Sequence, residues 1–199
     1  MNKMNIQTEV ETAWHYRPAW NCLGIREKLV GLEIGVDKGI NACLMNIKLD
    51  IKKLYLIDPY FEQSDLETDL TEDGERPFIH PEEGEKRVLR EASYDIAKKN
   101  LKDNGFENKV EWLIGTTEEM ISQIPDNSLD FIYIDGSHEY KFVKQDIILS
   151  FPKLVYGGTI GGHDFIEDHL GVVQAVLEIF GVDQVFVTNR DWWVHKYLK

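Results

Sequence analysis

Short apolar runs alternate along this chain with stretches of helical period. The runs are Val30–Gly35, Lys53–Asp58, Lys109–Ile114, Leu129–Asp135 and Thr159–His163. Each reads as a strand, and the nearly unbroken apolar character of Leu129–Asp135 predicts burial on both faces. Between them the pattern predicts helices over about Lys38–Leu49, Glu82–Asn104, Glu139–Phe151 and Leu170–Phe180. Leu89, Ala92, Ile96 and Leu101 form the apolar stripe of the second helix, which Asn104-Gly105 ends. Val173, Val176, Leu177 and Phe180 form the stripe of the last. Asp183–Thr188 and Trp192–Tyr197 flank Asn189-Arg190-Asp191, the spacing of a hairpin. Gly157-Gly158 reads as the entry to the fifth strand.

Five strand–helix alternations and a closing hairpin predict an α/β fold. It is Rossmann-like and doubly wound, with a seven-stranded, mostly parallel sheet, an antiparallel last strand and helices on both faces. Residues 1–199 read as one domain. Residues 1–28 form its N-terminal helical extension, broken at Pro18, and residues 60–85 an acidic, lid-like insertion. Phe61–Glu85 holds ten acidic residues and one basic. It reads either as a lid over the crevice or as a solvated insertion without a role. Val10, Trp14, Tyr16, Trp20 and Leu23 read as core packing, with a substrate wall or a homodimer face as the alternatives.

Charge narrows the partners. With 22 basic and 35 acidic residues the net charge is −13. That balance disfavours nucleic acid, whose phosphates attract cations, and an anionic membrane. Cys22 and Cys43 show neither metal spacing nor a disulfide pattern, which fits a reducing compartment. Residues 1–5 carry no apolar signal-peptide core, and no run approaches membrane-spanning length. A cytoplasmic location is expected.

The first strand runs into Gly35-Val36-Asp37-Lys38-Gly39, a glycine turn before a helix. Such turns most often cradle phosphate. Here Glu33 stands before the turn and Asp37 within it, so a ligand with a positive centre fits better. S-adenosylmethionine (SAM), with its sulfonium and ammonium, is such a ligand. Asp58 ends the second strand about twenty residues past Gly39, where an acid can hold ribose hydroxyls; a turn cap before Pro59 is the alternative. Thr116 and Glu119 have capping-box spacing. Asp135 and His138 fall at the end of strand four and His163 and Asp164 at that of strand five, and Asp135, His163 and Asp164 are expected to converge. Histidine suits proton abstraction near neutral pH. The carboxylates suit Mg²⁺ or another hard divalent ion, while the imidazoles pull toward a transition metal. Asp135 as a turn cap, His138 as a helix-start residue and Asp164 as a helix cap remain open.

Four motifs in order carry a resemblance: Glu33-x-Gly35-x-x-x-Gly39, Asp58, Asp135-Gly136-x-His138-x-Tyr140 and Gly157-Gly158-x-x-x-x-His163-Asp164. Over roughly residues 28–199 the chain resembles class I SAM-dependent methyltransferases, and among them small O-methyltransferases of the macrocin and catechol type. The resemblance implies methyl transfer from SAM to a hydroxyl of a small-molecule acceptor, a sugar first. Glu33, Gly35 and Asp37 would line the methionine end of SAM, Val36 and Gly39 would belong to the same cofactor-binding turn, and Asp58 would hold its ribose. Thr116 and Thr117 would approach the adenine. Asp135 would lie beside SAM as a metal ligand, with Asp164 as a second and His163 as a replacement ligand or a second base. His138 falls at the family's general base. An NAD-linked oxidoreductase and a non-catalytic SAM-fold protein are the competing readings, and amine acceptors stay open beside hydroxyls.

Overall fold

A computed structural model describes residues 17–23, 25–60 and 83–197. Val10, Trp14 and Tyr16, and most of the acidic segment, lie outside the described residues, as do the side chains of Leu89 and Ala92.

Seven strands form one sheet: β1 (Leu29–Ile34), β2 (Ile51–Asp58), β3 (Val110–Ile114), β4 (Leu129–Ile134), β5 (Leu154–Gly162), β6 (Phe186–Thr188) and β7 (Asp191–His195). Their order across the sheet is β3-β2-β1-β4-β5-β7-β6. The first five run parallel. β7 lies antiparallel to β5, and β6 antiparallel to β7. Among the described residues the helices are α1 (Ile40–Lys48), α2 (Glu83–Asp103), α3 (Thr117–Met120), α4 (Tyr140–Ser150) and α5 (Leu170–Phe180).

Successive strand residues point to opposite faces, and the two cores follow from that period. Leu29, Leu54, Leu56, Phe131 and Tyr133 face α1, α2 and the turn of 3₁₀ helix over Pro18–Leu23. Leu32, Ile34, Tyr55, Ile57, Ile132 and Ile134 face α4 and α5. Trp20 and Leu23 are buried in the first core, the packing expected of them, and the Trp20 ring meets Tyr133 edge-on at 5.9 Å. The sheet order reverses between β1 and β4, which opens a crevice at their carboxyl ends.

Several boundaries differ from the pattern reading. β5 starts at Leu154, not Thr159. It bulges, so that Leu154 pairs with Leu129 but Thr159 with Phe131. Gly157 and Gly158 exchange backbone hydrogen bonds with Lys196, which carries the strand through the glycine pair. β6 shrinks because Val182–Gln184 coils into a 3₁₀ turn. α5 buries Val172, Ala175 and Val176, one step round from the expected Val173 and Leu177. In α2 Ala97 and Leu101 are buried while Ile96 is 39% exposed. The hairpin turns on Asn189 (φ 50°) and Arg190 (φ 72°), two left-handed residues that match the twist of the strands they join. Among the described residues no helix is long and apolar enough to cross a membrane.

Candidate active site

The crevice is a cleft of about 520 Å³. Gly35, Asp37, Asp58, Thr116, Thr117 and Asp135 are among its walls. Gly35 makes the tight corner. Its φ is +84°, and a Cβ there would sit 2.4 Å from the Asp135 carbonyl oxygen, so a side chain is excluded twice over. β1 and β4 can therefore end in contact.

Asp58 organises the turn. Its Oδ2 accepts from the N–H of Val36 (2.7 Å) and of Asp37 (3.0 Å), and its Oδ1 from the N–H of Tyr60 (2.9 Å). The Tyr60 hydroxyl donates to the Asp37 carbonyl at 2.8 Å. Asp58 is thus a turn cap, and one Oδ1 lone pair is left over to accept a hydroxyl. Two turn N–H groups that would serve a phosphate are already engaged by a carboxylate.

Glu33 is fully buried behind the turn. Burial raises its carboxyl well above the usual range, against the Asn41 hydrogen bond. Asn41 Nδ2 donates to Glu33 Oε1 at 2.7 Å. Among the described residues, Glu33 Oε2 and Asn41 Oδ1 find no donor. Two buried acceptors side by side call for an N–H group, which an amino-acid ammonium supplies. The donor chemistry thus fits the methionine end of SAM, whereas the N–H groups of Val36 and Gly39 are engaged within the turn and Gly39 packs against Ala97.

Thr116 caps α3. Its Oγ1 accepts from the Glu119 N–H at 3.3 Å, and Glu119 Oε2 accepts from the Thr116 N–H at 2.8 Å, the expected capping box. Thr117 is buried and hydrogen-bonded to Asp146 on α4. Burial lifts the Asp146 carboxyl to about 6 despite that bond. Asp146 lines the same cleft. It sits mid-helix with no motif around it, so nothing in the sequence marks it.

At and behind Asp135 on the cleft wall five side chains gather. His138 Nε2 lies 2.9 Å from Asp164 Oδ2. His163 Nδ1 lies 3.0 Å from Asp164 Oδ1 and 3.9 Å from Asp135 Oδ1. His169 Nε2 stands 4.0 Å from Asp164 Oδ1, and its ring stacks on His138 at 4.1 Å. Burial would raise Asp164, but hydrogen bonding to His163 and the charges of the three histidines outweigh it and hold the carboxyl at about 2. Asp164 has φ 58° and caps no helix, since Ile166 and His169 occupy the cap positions that follow. Burial raises Asp135, opposed by the nearby Arg17 and His163. Asp135, His163 and Asp164 come together as expected, and His138 joins them through Asp164. The sequence gives no sign of His169, a loop residue, or of Arg17, whose Nη2 donates to Asp135 Oδ2 at 3.4 Å across 118 positions.

Asp135, His163 and Asp164 offer ligand atoms within 4.8 Å of one another, as do His138, Asp164 and His169. Both sets include imidazole, which suits a transition ion better than Mg²⁺. Arg17 already places a positive charge beside Asp135.

Solved structures share the fold. The O-methyltransferase NovP aligns over 97% of this chain and 79% of its own, with a TM-score of 0.59 at 16% identity. An O-methyltransferase from Bacillus cereus in complex with SAH aligns over 98% and 92%, with a TM-score of 0.62 at 13% identity. A precorrin 8W decarboxylase from Methanobacterium thermoautotrophicum aligns over 100% and 92%, with a TM-score of 0.58 at 16% identity. A sequence search of curated proteins returns no match. The sequence profile described as a methyltransferase domain matches residues 32–165, which run from β1 through the His163-Asp164 pair, and the chain belongs to that family.

Proposed function

We propose that this protein transfers a methyl group from SAM to a hydroxyl of a small molecule, a sugar or another metabolite, with His138 as general base. The observation that carries the cofactor assignment is the carboxylate-lined turn. Asp58 occupies the N–H groups of Val36 and Asp37, which disfavours a dinucleotide pyrophosphate and with it the NAD-linked reading. SAM, when bound, supplies a methyl group on a sulfonium that leaves as a neutral thioether. Glu33 and Asn41 would hold its ammonium, Asp58 its ribose, and Thr116 and Thr117 would border its adenine.

The residues of this chain then have three tasks. The closed turn and the β1–β4 contact fix one reactant, and alignment of this kind is worth roughly 7–11 kcal/mol in favourable cases. Asp164 orients His138: with the Nε2 proton directed at Asp164 Oδ2, the Nδ1 lone pair is free to take the hydroxyl proton. Arg17 and His163 oppose the rise that burial imposes on the Asp135 carboxyl. A second reading is supported by the convergence of Asp135, His163 and Asp164, which would hold a divalent ion whose Lewis acidity would favour loss of the hydroxyl proton. The net charge of −13 supports a small acceptor rather than nucleic acid.

Calorimetric titration with S-adenosylhomocysteine tests the cofactor. Micromolar binding is expected, and no heat with or without Mg²⁺ would sink the assignment. Release of S-adenosylhomocysteine from SAM, followed over a panel of sugar, phenol and amine acceptors, then identifies the acceptor class.

A further inference from the structure

His138 and His169 reach Asp164 from two loops that precede different helices. His138 lies just before α4 and His169 caps α5. Gly171 joins these loops. A Cβ at that position would meet the His138 carbonyl oxygen at 2.3 Å, so only glycine lets the first turn of α5 close on the His138 backbone. The result is two imidazoles stacked 33° from parallel, each turning Nε2 toward one carboxylate. Asp164 lies 2.9 Å from His138 Nε2 and 4.0 Å from His169 Nε2 while held at φ 58°, a conformation that non-glycine residues seldom adopt. The His138 side chain is 44% exposed, which leaves the group open to solvent. Two neutral imidazoles and one carboxylate form a borderline donor set, the kind that binds first-row transition ions and neglects Mg²⁺.

We propose that His138 Nε2, His169 Nε2 and an Asp164 carboxylate oxygen hold a transition-metal ion of the Mn²⁺ to Zn²⁺ series. This site is separate from the Asp135–His163–Asp164 group, with which it shares one residue. A consequence rests on the proposed role of His138. A neutral imidazole bound to a metal through Nε2 keeps its one proton on Nδ1. The lone pair that would accept the hydroxyl proton is then gone, so the ion at this site inhibits methyl transfer instead of assisting it.

The test uses the full chain stripped with EDTA and titrated with Co²⁺, read by visible d–d absorption. S-adenosylhomocysteine binding is measured in parallel by calorimetry. One Co²⁺ per chain is expected. His169→Ala and His169→Gln should each weaken it by about tenfold or more, with circular dichroism confirming the fold. His163→Ala should leave it nearly unchanged. No d–d band in the parent chain, or a band indifferent to both His169 variants, overturns the site. A band lost in His163→Ala but kept in the His169 variants also overturns it, by moving the ion to the Asp135 group. Failure of the ion site with S-adenosylhomocysteine binding intact leaves the methyltransferase reading standing. The reverse result, Co²⁺ bound without S-adenosylhomocysteine, sinks that reading and leaves the site.

Discussion

Asp58 and His138 each stand at the end of a hydrogen-bonded pair or trio that assigns them different work. Asp58 accepts three backbone N–H groups, and bonds to a charged acceptor are each worth about 1.5–3 kcal/mol. Asp58→Ala should lower stability by a few kcal/mol in this sense and weaken S-adenosylhomocysteine binding, read by thermal denaturation and calorimetry. Unchanged affinity would remove Asp58 from the cofactor site. His138→Ala makes the opposite split: S-adenosylhomocysteine affinity kept, turnover down by about 10²–10⁴. Retained turnover would dismiss the base. These residues were legible because each sits in a motif at a strand's end. Arg17 and Asp191 were not, since their partners lie far along the chain and no local spacing announces the pairing. His169 was missed for a related reason: it becomes notable only once α5 is folded beside the His138 loop.

At the scale of elements, apolar runs located β1 to β5, most sharply β1 and β4, where a strand buried on both faces leaves little choice of residue, and hairpin spacing located β6 and β7. Boundaries drifted where backbone pairing overrode local signals. A glycine pair looks like a break, yet Lys196 pairs across it and extends β5. The face of α5 was misjudged by one position, because its stripe is apolar nearly all round and only packing selects Val172 and Ala175. The contact of α5 with the His138 loop gives the prediction for this scale. Gly171→Ala should destabilise the protein by about 1–3 kcal/mol through overpacking, measured by urea denaturation. It should also disturb the His138 ring environment, measured by its NMR signals. A silent substitution would mean that the loop yields freely.

For the molecule as a whole, one buried acid links distant parts. Asp191 at the start of β7 accepts from the Ala19 N–H (3.1 Å) and from the Tyr133 hydroxyl (2.9 Å). Burial lifts its carboxyl to about 7, with those bonds, Arg17 and His163 opposing the rise. A carboxyl raised on folding stabilises most below its ordinary pKa of 3.8, and that contribution drains away as pH climbs through about 7. Asp191→Asn has no charge to bury. Its melting temperature relative to the parent should therefore improve between pH 5 and pH 8, by roughly 2–4 °C for each kcal/mol. A difference independent of pH would contradict the burial account.

The Asp191–Ala19 bond also has a place in time. Its two ends are 172 positions apart. A chain made from its N-terminus exposes Ala19 long before Asp191, and contacts of such separation form slowly. Strands β1 to β5 can assemble on the ribosome while the Pro18–Leu23 turn still waits for its anchor. Arg17, one residue before that turn, then settles only once β7 has been made, and its charge reaches Asp135 no earlier.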